Sequence, residues 1–204
     1  MKIAKSSARK KETREKILAA GSRLLKRQGI KAASVADVMG EAGLTVGGFY
    51  AHFDSKENLV SETFCYALQE SSRYMLGSLP QRLNGIGKLK AFFRTYLSPQ
   101  HRDCDKDGQG CPLAALAGEM GKGSASLQKV FTAELEKMAA DCAQHFSDRG
   151  FTVTPKEFLT MMSTAIGGLT LARATRGTVL SDQILQSCFK QLVTFSQEKE
   201  EINK

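Results

Sequence analysis

With 204 residues, 42% of them apolar and 25% charged, the chain has the composition of a soluble domain or pair of domains and is long enough to bury a core. No apolar run approaches the roughly 18 residues that span a bilayer, the basic start leads into no apolar stretch of a secretory signal, and five cysteines without paired spacing suit a reducing compartment, so the cytoplasm is the expected location. The net charge of +8 is uneven: residues 1–60 hold twelve Lys/Arg against six Asp/Glu, a surplus gathered at Lys2, Lys5, Arg9, Lys10, Lys11, Arg14 and Lys16 that suits a polyanion or a solvated tail.

Almost every segment reads as helix. Ile17, Gly21, Leu24 and Leu25 recur at helical spacing in a stretch that Gly29 should end. Ser34, with Asp37 three residues on, has the spacing of a capping box and starts a short helix whose buried side is Val35, Val38 and Met39. Gly43 breaks it. Thr45 can cap a second short helix reaching about Phe53, and Ser55 a third, longer one burying Leu59, Phe64 and Leu68. Beyond Pro80, helices are predicted at about 86–98, 113–121, 124–148, 155–176 and 182–197, with 99–112, short of apolar residues, as the clearest loop.

Two short helices joined at Ala42-Gly43-Leu44 fit a helix-turn-helix, a pattern that many helical hairpins share. The second helix, Thr45-Val46-Gly47-Gly48-Phe49-Tyr50-Ala51-His52-Phe53, says more. Each glycine costs a helix about 1 kcal/mol relative to alanine. A helix this short tolerates two of them where its backbone must approach something closely, and a DNA backbone or base edge is such a partner. Tyr50 and His52 add donors suited to phosphate oxygens, while Phe49 and Phe53 are expected in the core.

The stretch from Ser34 to Leu59, above all Gly48-Phe-Tyr-Ala-His-Phe-Asp-Ser-Lys-Glu-Asn-Leu59, resembles the signature of the TetR family of regulators, and Thr13 to Ala20 is similar to that family's first helix. The resemblance covers about residues 9–60. It implies an all-α fold: a three-helix helix-turn-helix DNA-binding domain with its basic arm over 1–54, then a larger ligand-binding and dimerisation domain over 55–204. It also implies that Ser34, Thr45, Tyr50, His52 and Lys56 contact DNA phosphates, and that Val46, Gly47 and Gly48 face base edges. Those three positions and Ala36 offer no side-chain donor, which leaves thymine methyls for Val46, DNA shape, and the arm in a minor groove as sources of specificity. The partners implied are double-stranded operator DNA, a second copy of the chain and a small-molecule effector, and the expected mode is a repressor released by that effector rather than an activator.

For dimerisation the last two helices are favoured, with Phe158, Met161, Met162, Ile166, Leu169 and Leu171 on one, Leu185, Phe189, Leu192 and Val193 on the other, and Gly167-Gly168 permitting close approach. For an effector cavity, Phe92, Phe93, Tyr96, Met120, Phe131, Met138, Phe146 and Met162 are candidates, equally readable as plain core. Asp103-Cys-Asp105-Lys-Asp107-Gly108 copies the opening of a calcium loop, but its twelfth position is Ala114, so no metal is expected. Cys111, before Pro112 at a predicted helix start, is a redox or electrophile candidate with Cys104 as its possible resolving partner; an inert half-buried thiol is the plainer reading.

The chain has no Cys-x-x-Cys, phosphate-binding loop or dinucleotide fingerprint, and His52, His101 and His145 lack metal-ligand spacing. No catalytic residue and no cofactor is therefore assigned. The alternatives to a ligand-released regulator are a thiol-dependent redox enzyme and a constitutive DNA-binding protein without a ligand.

Overall fold

The computed structural model describes residues 2–202, without the side chains of 2–6, 106, 107 and 202. Met1 and the side chains of Lys2 and Lys5 in the basic run, and of Lys106 and Asp107 in the calcium-like stretch, lie outside the described residues. Among the described residues every regular element is helical: α1 (Lys2–Ala32), α2 (Val35–Glu41), a 3-10 turn (Val46–Ala51), α3 (Lys56–Gly77), α4 (Gly85–Tyr96), α5 (Pro99–Asp103), a second 3-10 turn (Cys104–Asp107), α6 (Pro112–Met120), α7 (Ala125–Ser147), α8 (Pro155–Ala174) and α9 (Val179–Ile202). No helix of the described residues is long and apolar enough to cross a membrane.

Three boundaries differ from the sequence expectation. The basic arm is not a separate tail, since α1 is helical from Lys2 onward; nothing between Lys2 and Glu12 breaks a helix, and the charged residues there propagate one well. Much of the expected 99–112 loop is ordered into α5 and the second 3-10 turn. Ser98 caps α5 by accepting from the His101 N–H at 3.1 Å, and Pro99 presets the first helical residue. α9 begins before and ends beyond the predicted 182–197.

The chain divides into two packing units, residues 1–69 with 105–132, and residues 70–104 with 133–204. This division by packing is distinct from a division by role at residue 54. In the first unit, α1 packs on α2 and α6. Ile17, Leu24, Leu25, Val38, Met39, Phe64, Leu113, Leu116 and Met120 are all buried there, as the helical spacing requires. The Phe131 ring meets Phe64 with centroids 5.3 Å apart. Two glycines set the fit of the 105–120 segment against α1. Gly108 has φ +68, and a Cβ there would stand 2.5 Å from the Arg23 carbonyl oxygen. Gly29 bends α1 at φ +83, freeing the N–H groups of Ile30 and Lys31, and both donate to Glu119 Oε2 of α6 at 3.1 Å.

In the second unit α8 and α9 pack along each other, and α4 lies against both. A cluster of Phe92, Phe93, Phe146 and Phe158 fills its core, with ring centroids 5.1–6.2 Å apart. Thr154 and Glu157 form a capping box at the start of α8. Lys199 of α9 donates to Glu157 at 2.6 Å and, with the Thr154 backbone, holds that carboxyl down to about 2. Arg102 bridges α5 to α9 through Ser181 (2.9 Å) and Asp182 (2.7 Å), while Arg173 and Arg176 of the α8 end donate to the carbonyls that close α5.

Candidate nucleic-acid interface

The sequence builds an open face around the first 3-10 turn. At its front, the Ser34 hydroxyl accepts from the Asp37 N–H at 3.1 Å and donates to Asp37 Oδ2 at 2.6 Å, so α2 starts from a complete capping box. That bond from Ser34 also holds the Asp37 carboxyl below its usual range. α2 ends at Ala42, and the Gly43 and Leu44 N–H groups close the turn on Gly40 and Met39. The chain then winds into a 3-10 helix rather than the expected short α-helix, carried by Gly48 N–H to Thr45 at 3.1 Å and His52 N–H to Phe49 at 2.9 Å. The adjacent glycines explain this, because they withhold the side-chain packing and backbone restriction that favour a full α-turn.

Phe49 and Phe53 anchor the turn, each 1% exposed and stacked at 5.7 Å. The outer side is bare. Thr45 and Gly47 are exposed, Val46 is 48% exposed and Tyr50 77%. Thr45 makes no side-chain cap bond, so its hydroxyl is unspent. Nothing lies within 4 Å of where a Cβ at Gly47 would be, and at Gly48 there is only Met39 Cε at 3.9 Å. The fold itself therefore does not demand these glycines. Lys56 is exposed at the first position of α3, and Ser55 Oγ accepts from the Asn58 N–H at 3.0 Å as the start of that helix.

His52 is half-buried with an unpartnered, buried Nδ1. Burial first, then the charges of Lys10 and Arg14, push its pKa below the usual histidine value. Those two cations belong to α1, and the sequence shows them only as members of a basic run. Their i, i+4 spacing ahead of buried Ile17 is the available signal. Arg14 also pairs with Glu62 and lies over the Phe53 ring at 4.7 Å, so it is held, whereas Lys10 is exposed.

The remaining predicted residues are spread over both units. Phe92, Phe93, Tyr96, Met138, Phe146 and Met162 are buried in the second unit, while Met120 and Phe131 belong to the first. A surface crevice of about 370 Å³ is lined by Lys90, Thr194, Gln197, Glu198, Glu200 and Glu201, none of them predicted. Of the dimer candidates, Phe158, Met161, Met162, Leu169, Leu185 and Leu192 are buried by their own chain, and Gly168 meets Cys188 of α9, whereas Leu171, at 58%, is exposed. Cys111 is the N-cap of α6 and 3% exposed; Cys104 belongs to the other unit and its thiol donates to the His101 carbonyl at 3.2 Å. Asp103 is engaged by Arg102 and Arg176, each at 2.9 Å, rather than presented to a cation.

A three-helix unit with a bare, donor-carrying second short helix is a helix-turn-helix, and in this chain it heads an otherwise helical protein. Residues 17–63 match the profile of the bacterial regulatory proteins of the tetR family. No curated protein gives a significant match to the chain. Among solved structures, a TetR transcriptional regulator from Chloroflexus aurantiacus J-10-FL is similar over 92% of this chain and 96% of its own, with 23% identity and a TM-score of 0.70. A TetR-family regulator from Cytophaga hutchinsonii aligns over 91% and 95% with 21% identity and a TM-score of 0.70. The reduced form of E. coli NemR aligns over 89% and 95% with 18% identity and a TM-score of 0.68. The amino-terminal domain thus places this chain in the TetR family of bacterial regulators, and the whole chain has that fold.

Proposed function

We propose that the chain is a cytoplasmic, homodimeric transcription regulator, a repressor that leaves its operator when a small-molecule effector binds, with residues 1–54 as its DNA-binding part and 55–204 as its effector-binding and dimerising part. The observation that carries the reading is the bare face from Thr45 to Tyr50 on a built helix-turn-helix, flanked by Lys10, His52 and Lys56. Thr45, Tyr50, His52 and Lys56 grip phosphates. Val46, Gly47 and Gly48 approach base edges, with Val46 against a thymine methyl. Ser34 contributes less than its position suggests, because its hydroxyl hydrogen is committed to Asp37. Exposed Leu171, Val179 (75%) and Leu180 (52%) supply apolar surface for the second copy. Of the aromatic and Met candidates, Phe92, Phe93, Tyr96 and Met162 line the effector region, and Met120 and Phe131 are proposed to relay its occupancy. The test is anisotropy with the DNA upstream of the chain's own gene against scrambled DNA. Specific binding whose log affinity falls linearly with log salt is expected. Equal, salt-insensitive affinity for both DNAs would defeat the reading.

A second release route is favoured by one feature of the first unit. α6 carries Cys111 at its N-cap and Glu119, which holds the bend of α1, so an adduct at one end of α6 would disturb the other. With Cys111 only 3% exposed, a reagent reaches it through opening of the preceding loop. Maleimide should release DNA from the natural chain and not from Cys111→Ser. Equal release from both removes this route.

A further inference from the structure

Lys88 is out of place as a solvated lysine. It lies in the first turn of α4, is 5% exposed, and makes no hydrogen bond or ion pair among the described residues. Burying an ammonium stem against carbon is ordinary, but withdrawing the charge from water without a counter-charge is costly. The surroundings add to the imbalance. α4 begins beside the end of α7, where the Gly85 N–H donates to the Arg149 carbonyl at 2.6 Å, and one turn beyond Lys88 the Phe92 ring meets Phe146 at 5.7 Å. His145, next to Phe146 with ring centroids 5.5 Å apart, has a buried Nε2 with no partner. Arg149 Nη1 donates to the His145 carbonyl at 2.9 Å, which fixes the guanidinium in the same turn. The neighbouring carboxylate, Asp148, is exposed and takes a hydrogen bond from Gln144 at 2.5 Å.

We propose that Lys88, His145 and Arg149 anchor the carboxylate of a small organic effector, and that the bordering Phe92–Phe146 cluster receives its apolar part. An ammonium, a ring N–H and a guanidinium together offer the donors that a carboxylate's two oxygens take up, and each bond to the charged group is stronger for being shielded from water. The aromatic border selects an aryl carboxylate over an inorganic anion. In the free protein, burial, then Arg149 and Lys88, push the His145 pKa below its usual value against the opposing pull of Asp148. A bound anion reverses that balance and raises it.

The inference rests on the regulator reading, and its test separates the two. Benzoate, benzyl alcohol and inorganic phosphate are titrated calorimetrically into the full chain and into Lys88→Met, Lys88→Arg and His145→Gln, each checked for folding by circular dichroism. Saturable benzoate binding at one site per chain is expected, with none for benzyl alcohol. Lys88→Met should weaken it by about tenfold or more, Lys88→Arg should retain it, and the His145 ring resonances should titrate at higher pH with benzoate present. His145→Gln covers the case in which Lys88→Met fails to fold. Absence of benzoate binding, equal binding by the folded Lys88→Met chain, or phosphate binding as tightly as benzoate each overturns the proposal. The same preparations are assayed on upstream DNA: salt-dependent DNA binding without benzoate binding sinks the anion site alone, and benzoate binding without DNA binding sinks the regulator reading alone.

Discussion

Phe49 and Tyr50 are neighbours in sequence and opposites in environment, 1% and 77% exposed. The Phe ring holds the 3-10 turn in place; the Tyr hydroxyl reaches outward. Tyr50→Phe and Lys56→Ala should therefore weaken binding to operator and scrambled DNA alike, and the salt slope for Lys56→Ala should drop by about one, the loss of one phosphate contact. A change in base preference with general affinity intact would contradict these roles. His52 makes a prediction with two signs. In the free protein its pKa is lowered by burial and by Lys10 and Arg14, so below the ordinary value of 6.5 the unfolded chain takes up a proton that the folded chain resists. That contribution to stability is complete at higher pH and is lost as pH falls through the ordinary value. A phosphate beside His52 has the opposite effect and favours the protonated ring. Lowering pH from about 7.5 to about 6 should thus destabilise the free chain yet tighten its DNA complex, and both trends should shrink in His52→Gln. Urea melts and anisotropy over that range check them.

Among the elements, α6 carries a disproportionate share of the first unit's stability. Glu119 satisfies two backbone N–H groups released by the Gly29 bend, and Gly108 lets the preceding loop lie on the Arg23 backbone. Glu119→Ala should cost about 1–3 kcal/mol, the penalty for leaving such groups unsatisfied. Gly108→Ala should cost at least about 1–2 kcal/mol from its left-handed backbone alone, with displacement of α1 added. Urea midpoints measure both, and a change of only a few tenths of a kcal/mol would show that α1 does not depend on this grip. How legible each element was depended on how local its cause is. The box at Ser34 and Asp37 and the start at Ser55 are written in four consecutive residues and could be read directly. The helical state of Lys2 to Glu12 was obscured by its charge, which argues for a partner and says little about backbone. The 3-10 geometry after Thr45 reflects two glycines whose cost was counted but whose outcome, a tighter winding, was not.

For the whole molecule, the second copy is the main expectation. Leu171, Val179 and Leu180 stand exposed, whereas most of the apolar positions on α8 and α9 are spent inside their own chain. Sedimentation should give a dimer at micromolar concentration, and Leu171→Glu should shift it toward monomer and weaken operator binding. A dimer unaffected by Leu171→Glu would place the interface elsewhere. The sequence showed which helices are apolar but could not divide their residues between inner core and outer contact, since both ask for the same side chains. The same ambiguity hid the effector region: Phe92 and Phe146 read as core or pocket alike, and the unpaired charge of Lys88 shows only once its burial is known. The reading residues from Thr45 to Lys56 were recoverable because a motif fixes them one by one. The grip of Glu119 on Ile30 and Lys31, 89 and 88 residues away in sequence, also limits how this protein can be recombined. A hybrid regulator made by splicing another protein's reading head at residue 54 would leave behind the stretch 105–132 that packs with the native head. Exchange of DNA specificity between relatives therefore succeeds by repainting the exposed positions from Thr45 to Tyr50 on the resident scaffold, or by moving both stretches of chain together.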